Sequence, residues 1–209
     1  YALHGVYGGG DLAPYAGTPT VKVHNCDNSI EYVYGGGNAT SVAGTDVTIW
    51  GGNKIGNVFG GGNGQVKAAN VTGGTNVKIY GGTIGDVYGG SNTNGTIGGT
   101  INVLVNKSSE NGDDGCDMVI DNVYGGGNKA ASNVGNVTIK CTGTKDGEGI
   151  GAVYGGANQA NVTGDITLNI VSGHIDNVFG GNNNSGNIDG NITVNINEDH
   201  DAGCGNGML

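Results

Sequence analysis

The tetrapeptide Val-(Tyr/Phe)-Gly-Gly recurs seven times in this chain, its valine falling at Val6, Val33, Val58, Val87, Val123, Val153 and Val178. The intervals of 27, 25, 29, 36, 30 and 25 residues average about 29, a period that marks stacked repeats. A unit this short cannot bury its own apolar residues, so its stability must come from the units on either side. Without a period, 47 glycines in 209 residues would read as low complexity. With one, those glycines and the 29 asparagines become regularly placed corners, where both residues tolerate left-handed backbone.

Between the marks stand alternating triplets with apolar flanks and a polar centre: Val21–Val23, Val47–Ile49, Val77–Ile79, Ile101–Val103, Val137–Ile139, Ile166–Leu168 and Ile192–Val194. This is the pattern of a strand with one buried face. An isoleucine three residues before the mark, at Ile30, Ile55, Ile84, Ile120, Ile150 and Ile175, implies a corner between two inward residues. A short Val/Ile-x-Gly piece, as at Val42–Gly44 and Val71–Gly73, supplies a third side. No stretch of ten or more residues carries a helical period.

The expected fold is therefore all-β: a single-stranded parallel β-helix, or β-solenoid, of about seven triangular coils of 25–36 residues, forming one domain over residues 1–209. Coils stacked in register at about 4.8 Å make a column about 34 Å tall. The one long interval holds a polar insertion near residues 106–118, read as a loop projecting from a corner. The chain opens within a few residues of its first repeat, with no basic segment leading into an apolar one. It reads as a piece of something longer.

Stacking in register turns each recurrent residue into a ladder. Five residues after each mark stand Asp11, Asn38, Asn63, Asn92, Asn128, Asn158 and Asn183, an amide ladder expected to bond coil to coil. Directly after each inward valine stand Tyr7, Tyr34, Phe59, Tyr88, Tyr124, Tyr154 and Phe179. Alternation points these rings outward. Two readings follow: an exposed stripe that binds sugar rings or a partner solenoid, or rings that close over the small glycine ladder as packing. Trp50 and Tyr80 would extend an exposed stripe. The outward Thr48, Thr138, Thr167 and Thr193 are interrupted by Lys78 and Asn102, too irregular an array for ice binding.

The four cysteines fit neither paired metal spacing nor a dense disulfide framework. Cys141 takes the third inward position that Val105, Ile170 and Ile196 fill elsewhere, as a small core residue. Cys116 lies in the insertion one coil earlier, and a Cys116–Cys141 disulfide is the candidate bridge. Cys26 and Cys204 lie near opposite ends and are not expected to pair within one column.

A net charge of −10 with no arginine argues against nucleic-acid binding. No apolar run reaches transmembrane length, so no membrane insertion is expected in this segment. Parallel β-helices include polysaccharide lyases and hydrolases, which need basic residues beside clustered acids. Here Asp86, Asp121, Asp176 and Asp189 are scattered at corners. The tight pairs Asp113–Asp114 and Asp146 with Glu148 read as solvated loops rather than a carboxylate dyad. His4, His24, His174 and His200 lack metal-ligand spacing, and no metal or cofactor is expected. Eight Asn-x-Ser/Thr matches arise from the repeat itself and say little about glycosylation.

The blocks Val33–Asn38 and Val123–Asn128 (VYGGGN), with the phenylalanine variant Val58–Asn63, resemble the glycine- and asparagine-rich repeats of large bacterial surface or secreted adhesin-like proteins, over nearly the whole chain. The resemblance implies an extracellular or cell-surface structural and adhesive module. Its partners would be a glycan, an extracellular protein, or another copy met end to end or side by side in a fibre. The alternative is a carbohydrate-active enzyme on a β-helix. No family binding or catalytic residue carries over.

Overall fold

A computed structural model describes residues 2–107, 115–143 and 145–196. Asp113, Asp114, His200, Cys204 and the middle of the insertion lie outside the described residues. Fourteen strands follow one another: β1 (Ala2–Tyr7), β2 (Thr20–Val23), β3 (Ser29–Tyr34), β4 (Thr45–Ile49), β5 (Lys54–Phe59), β6 (Thr75–Ile79), β7 (Gly82–Tyr88), β8 (Ile101–Asn106), β9 (Met118–Tyr124), β10 (Gly135–Cys141), β11 (Gly149–Tyr154), β12 (Ile166–Ile170), β13 (Ile175–Phe179) and β14 (Ile192–Ile196). Odd strands form one seven-stranded sheet and even strands another, each in coil order. Every pairing is parallel. The protein is a parallel β-solenoid. Six full turns separate the first of the seven odd strands from the last.

The third side is reduced to a ladder of single bridges, Tyr15 to Val42 to Val71 to Ile97, resumed by Val162 and Ile188. The Val/Ile-x-Gly piece offers one apolar residue between polar and glycine neighbours, enough for one rung and no more. Each coil is thus two strands and a rung.

The corner expected between Ile30 and Val33, and at its equivalents, is a kink inside a continuous strand. β3 runs unbroken through Ser29–Tyr34, yet Glu31 has no rung partner between Ile30↔Ile55 and Tyr32↔Asn57. The same residue drops out of register between β5 and β7, at Gly56, and between β7 and β9, at Gly85. One residue left out per strand resets the alternation, so Ile30 and Val33 both face the core despite their odd spacing.

In the even sheet β2–β4, β4–β6 and β12–β14 pair in the expected register, whereas β6–β8, β8–β10 and β10–β12 correct it by two residues. Val77 pairs with Val103 and Ile79 with Val105, while Ile101 pairs with Thr75. Likewise Val137 pairs with Leu168, and Ile166 lies beside Gly135. A shift of two preserves the buried face while moving every rung. The inward first rung is filled by Thr45 and Thr75, whose Oγ1 hydroxyls donate to Gly60 O and Gly89 O at 2.7 Å. A polar residue at an inward rung does not stand out in an apolar pattern. Cys141 shifts too: it lies beyond an irregularity after Ile139 and pairs with Asn106.

The main apolar cluster packs odd strands against even ones and includes Val33, Val58, Val87, Val123 and Val153 at zero exposure, with two smaller clusters around Val42, Val71 and Ile97 and around Val162 and Ile166 toward the third side. The first glycine of each mark exists because of close approach between coils. A Cβ on Gly35, Gly60 or Gly125 would lie 2.4, 2.2 and 2.2 Å from the carbonyl oxygen of the equivalent glycine one coil on. No side chain fits there.

The Cys116–Cys141 bridge is corrected: Cys116 bonds Cys26, ninety positions away in sequence. No described cysteine is free. Cys26 lies in the corner after β2, and the insertion leaves the corner three coils later. Its closing end folds back over the intervening corners. Gly82 N donates to Asp117 O at 2.8 Å, and a Cβ on Gly51 would stand 2.3 Å from Cys116 Sγ. The glycines of those two corners form the trough through which the insertion reaches the first coil. At its root, the Lys107 ammonium donates to Glu148, whose carboxylate also accepts from the Met118 and Lys145 backbone N–H groups. Glu148 is buried rather than solvated, unlike exposed Asp146. Burial alone would raise its carboxyl, but these donors outweigh burial and hold it below its ordinary value.

Candidate functional site

The seven aromatic residues stack as one continuous column. Neighbouring centroids from Tyr7 to Phe179 lie 4.6–5.0 Å apart with interplanar angles of 5–13°. The spacing is that of the coils, so the rings meet offset, the arrangement their quadrupoles prefer. The rings form a cluster of their own, apart from the valine core, as alternation implies. They are nevertheless covered: Tyr34, Phe59, Tyr88 and Tyr124 are 1–2% exposed. The reading of the whole ladder as an exposed binding stripe is corrected by this burial, since the ring faces are spent on one another. Only the ends open, Tyr7 at 37% and Phe179 at 45% exposure.

The amide ladder bonds through every rung. Asn38 Nδ2 donates to Asp11 Oδ1 at 2.7 Å, Asn63 to Asn38 at 2.8 Å, Asn92 to Asn63 at 3.0 Å, Asn128 to Asn92 and Asn158 to Asn128 at 2.9 Å, and Asn183 to Asn158 at 3.2 Å. An ionised aspartate only accepts, so Asp11 obliges Asn38 to donate and thereby orients every amide after it.

Phenol and amide are coupled with an offset of two coils. Asn92 Nδ2 donates to Tyr34 Oη at 3.2 Å and Asn183 Nδ2 to Tyr124 Oη at 3.1 Å. Tyr88 engages Asn158 in the same register and donates to Asp86 at 3.1 Å. Tyr34 donates onward to Asn63 Oδ1 at 3.3 Å. Phe59 has no hydroxyl, so Asn128, two coils on, has the ladder bonds but receives no phenol.

Asn92→Ala should therefore cost more than Asn128→Ala. The first leaves buried Tyr34 Oη without its donor as well as breaking two rungs, about 2–3 kcal/mol; the second breaks rungs alone, about 1–2 kcal/mol. Urea unfolding of both variants measures the difference, and equal losses would sink the coupling.

Burial pushes the Tyr34 and Tyr88 phenols up from their ordinary value, and the nearby Asp86 charge adds to the shift at Tyr88. Burial and Asp86 push Tyr124 up to about 12, against the opposing hydrogen bond from Asn183. These phenols hold their protons more tightly folded than unfolded. Their contribution to stability is thus complete below the unfolded value near pH ~10 and is lost as pH rises through the folded values. Thermal melts across that range should show a constant midpoint up to about pH 10 and a fall above it, coinciding with tyrosinate absorbance.

A groove of roughly 400 Å³ opens at the N-terminal end of the stack. Tyr7, Tyr32, Tyr34 and His4 line one side, and Asn63, Asn92 and Asn128 the other, with Gln65, Thr93 and Lys129 completing the lining. Tyr32 is a residue the repeat pattern does not contain. It stacks on Tyr34 at 6.0 Å and meets His4 edge-on at 5.6 Å, while His4 Nδ1 lies 2.6 Å from Glu31. Its only sequence signal is a second aromatic one residue before Val33.

Trp50 and Tyr80 do come together, with centroids 5.8 Å apart, and His24 joins them by stacking on Trp50 at 4.3 Å. This row follows the even strands beside the disulfide. Among the described residues no three His, Cys, Asp or Glu side chains converge as metal ligands, and no helix is long and apolar enough to cross a membrane. Comparison with protein-family models, curated proteins and solved structures finds no match to this chain.

Proposed function

We propose that the chain is a non-enzymatic module of an extracellular or cell-surface protein, a stiff column that holds contact surfaces in fixed positions. The observation that carries this reading is the unbroken pairing of ring stack and amide ladder through every coil. Side chains that another fold would direct at a substrate are committed here to neighbouring coils. The Cys26–Cys116 bridge is compatible with an oxidising compartment. At the ends, Leu3 and Tyr7, and Phe179, Ile192, Val194 and Ile196, present exposed apolar surface suited to end-to-end contact with another copy.

Labelling intact source cells with a membrane-impermeant amine reagent tests the location. Modification before lysis is expected; modification only after lysis overturns it. Release of reducing ends from polysaccharides incubated with the purified chain would replace the structural reading with the enzymatic one.

A further inference from the structure

We infer that the groove at the N-terminal end of the aromatic stack is a seat for a neutral, hydroxyl-rich oligosaccharide, its amide Asn128 left free of a phenol by the Phe59 substitution within the repeat. The inference rests on the extracellular reading, since that is where a free glycan would meet the column.

The two-coil offset carries the argument. Tyr34, Tyr88 and Tyr124 each set the hydroxyl at the amide two coils on. At the third mark Phe59 interrupts this order, and the amide left without a phenol is Asn128, which lines the groove. The amide that the missing hydroxyl leaves spare therefore belongs to the groove lining.

The groove chemistry suits a sugar. Asn63, Asn92 and Asn128 offer carboxamides in successive coils at about 4.8 Å intervals; after their ladder and phenol bonds Asn63 keeps one N–H, Asn92 one lone pair, and Asn128 alone keeps one of each toward sugar hydroxyls. An extended β-1,4-linked glycan lying along the column axis presents successive residues at a similar spacing. Tyr7, open at the end of the stack, supplies an aromatic face of the kind that packs against a sugar ring. The roughly 400 Å³ volume lies at the lower end of the range for small-ligand sites. Charge favours a neutral ligand: His4 is engaged by Glu31, Lys129 is the lysine of the lining, and the chain as a whole carries −10.

The test is calorimetric titration of the full chain with soluble β-1,4-linked hexasaccharides of glucose, mannose, xylose and N-acetylglucosamine. At least one is expected to bind the natural chain. Phe59→Tyr, which restores the residue found at five of the seven marks, should supply the missing hydroxyl to Asn128, weaken that binding at least tenfold and leave the thermal midpoint unchanged or higher. Tyr7→Ala should weaken binding comparably while the fold persists, because Tyr7 lies at the open end. Binding of none of the four probes, or equal binding by Phe59→Tyr, overturns the proposal. Failure here with surface labelling intact leaves the column reading standing; sugar binding by a chain labelled only after lysis does the reverse.

Discussion

Replacing Gly60 with alanine is expected to destabilise the protein by about 4 kcal/mol, at the extreme of single-substitution effects. The added methyl would stand 2.2 Å from the Gly89 carbonyl oxygen and 3.0 Å from Val77 Cγ2. Neither can yield cheaply. The carbonyl belongs to backbone fixed by rungs on both sides, since Gly60 N donates to Tyr88 O and Gly89 N to Tyr124 O. Relief would require prising coils apart, loosening the ring stack and the valine core together. Gly181→Ala is the matched control, because its nearest neighbour would be Ile188 Cδ1 at 3.5 Å, an ordinary contact. It should change stability by less than about 1 kcal/mol, with a gain from the stiffer unfolded chain. Urea midpoints for the two variants decide the matter: similar values would mean that the repeat's glycines serve flexibility rather than approach.

The second large effect is expected from removing the Cys26–Cys116 bridge. Closing a loop of ninety residues restricts the unfolded chain by about 4–5 kcal/mol on the loop-entropy model, so Cys26→Ser with Cys116→Ser should lower stability by up to that amount. Location distinguishes this bridge from a generic cross-link. It ties the first corner to an insertion emerging three coils later, across Gly51 and Gly81. Hydrogen exchange in the double variant should therefore rise at the corners after β4 and β6 more than in the strands. Unaltered exchange there, with an unchanged thermal midpoint, would show that the insertion lies passively on the column.

The mark was a sound guide to the fold because close approach, burial and corner chemistry all act on it together. Valine, glycine and asparagine recur for three separate physical reasons with one period. Register was harder to read. Thr45 and Thr75 bury their hydroxyls against backbone carbonyls, so a polar letter stands at an inward rung and shifts the apparent start of the apolar run by two residues. The Ile30 kink was misread as a corner because one residue left out of a ladder and a turn both change the spacing of inward residues from two to three. The disulfide was missed because distance along the column was judged by sequence position. Consecutive glycine pairs at Gly51–Gly52 and Gly81–Gly82 mark the trough that makes the distance irrelevant. The groove is the least legible feature. Its clue is the interior phenylalanine, Phe59, between tyrosine marks on both sides, which acquires meaning only once the two-coil offset is known.

The fixed direction of the amide ladder bears on how such a column can change length. Each interior asparagine gives to the coil before it and takes from the coil after it, so a duplicated interior coil enters with its own donor and acceptor already matched. The same holds for a ring with an open face on either side. As far as ladder and stack are concerned, interior coils are therefore interchangeable units, and columns of different heights can arise by gain or loss of whole repeats outside the span of the Cys26–Cys116 bridge. Asp11 differs, because an ionised carboxylate has nothing to give to a coil placed before it.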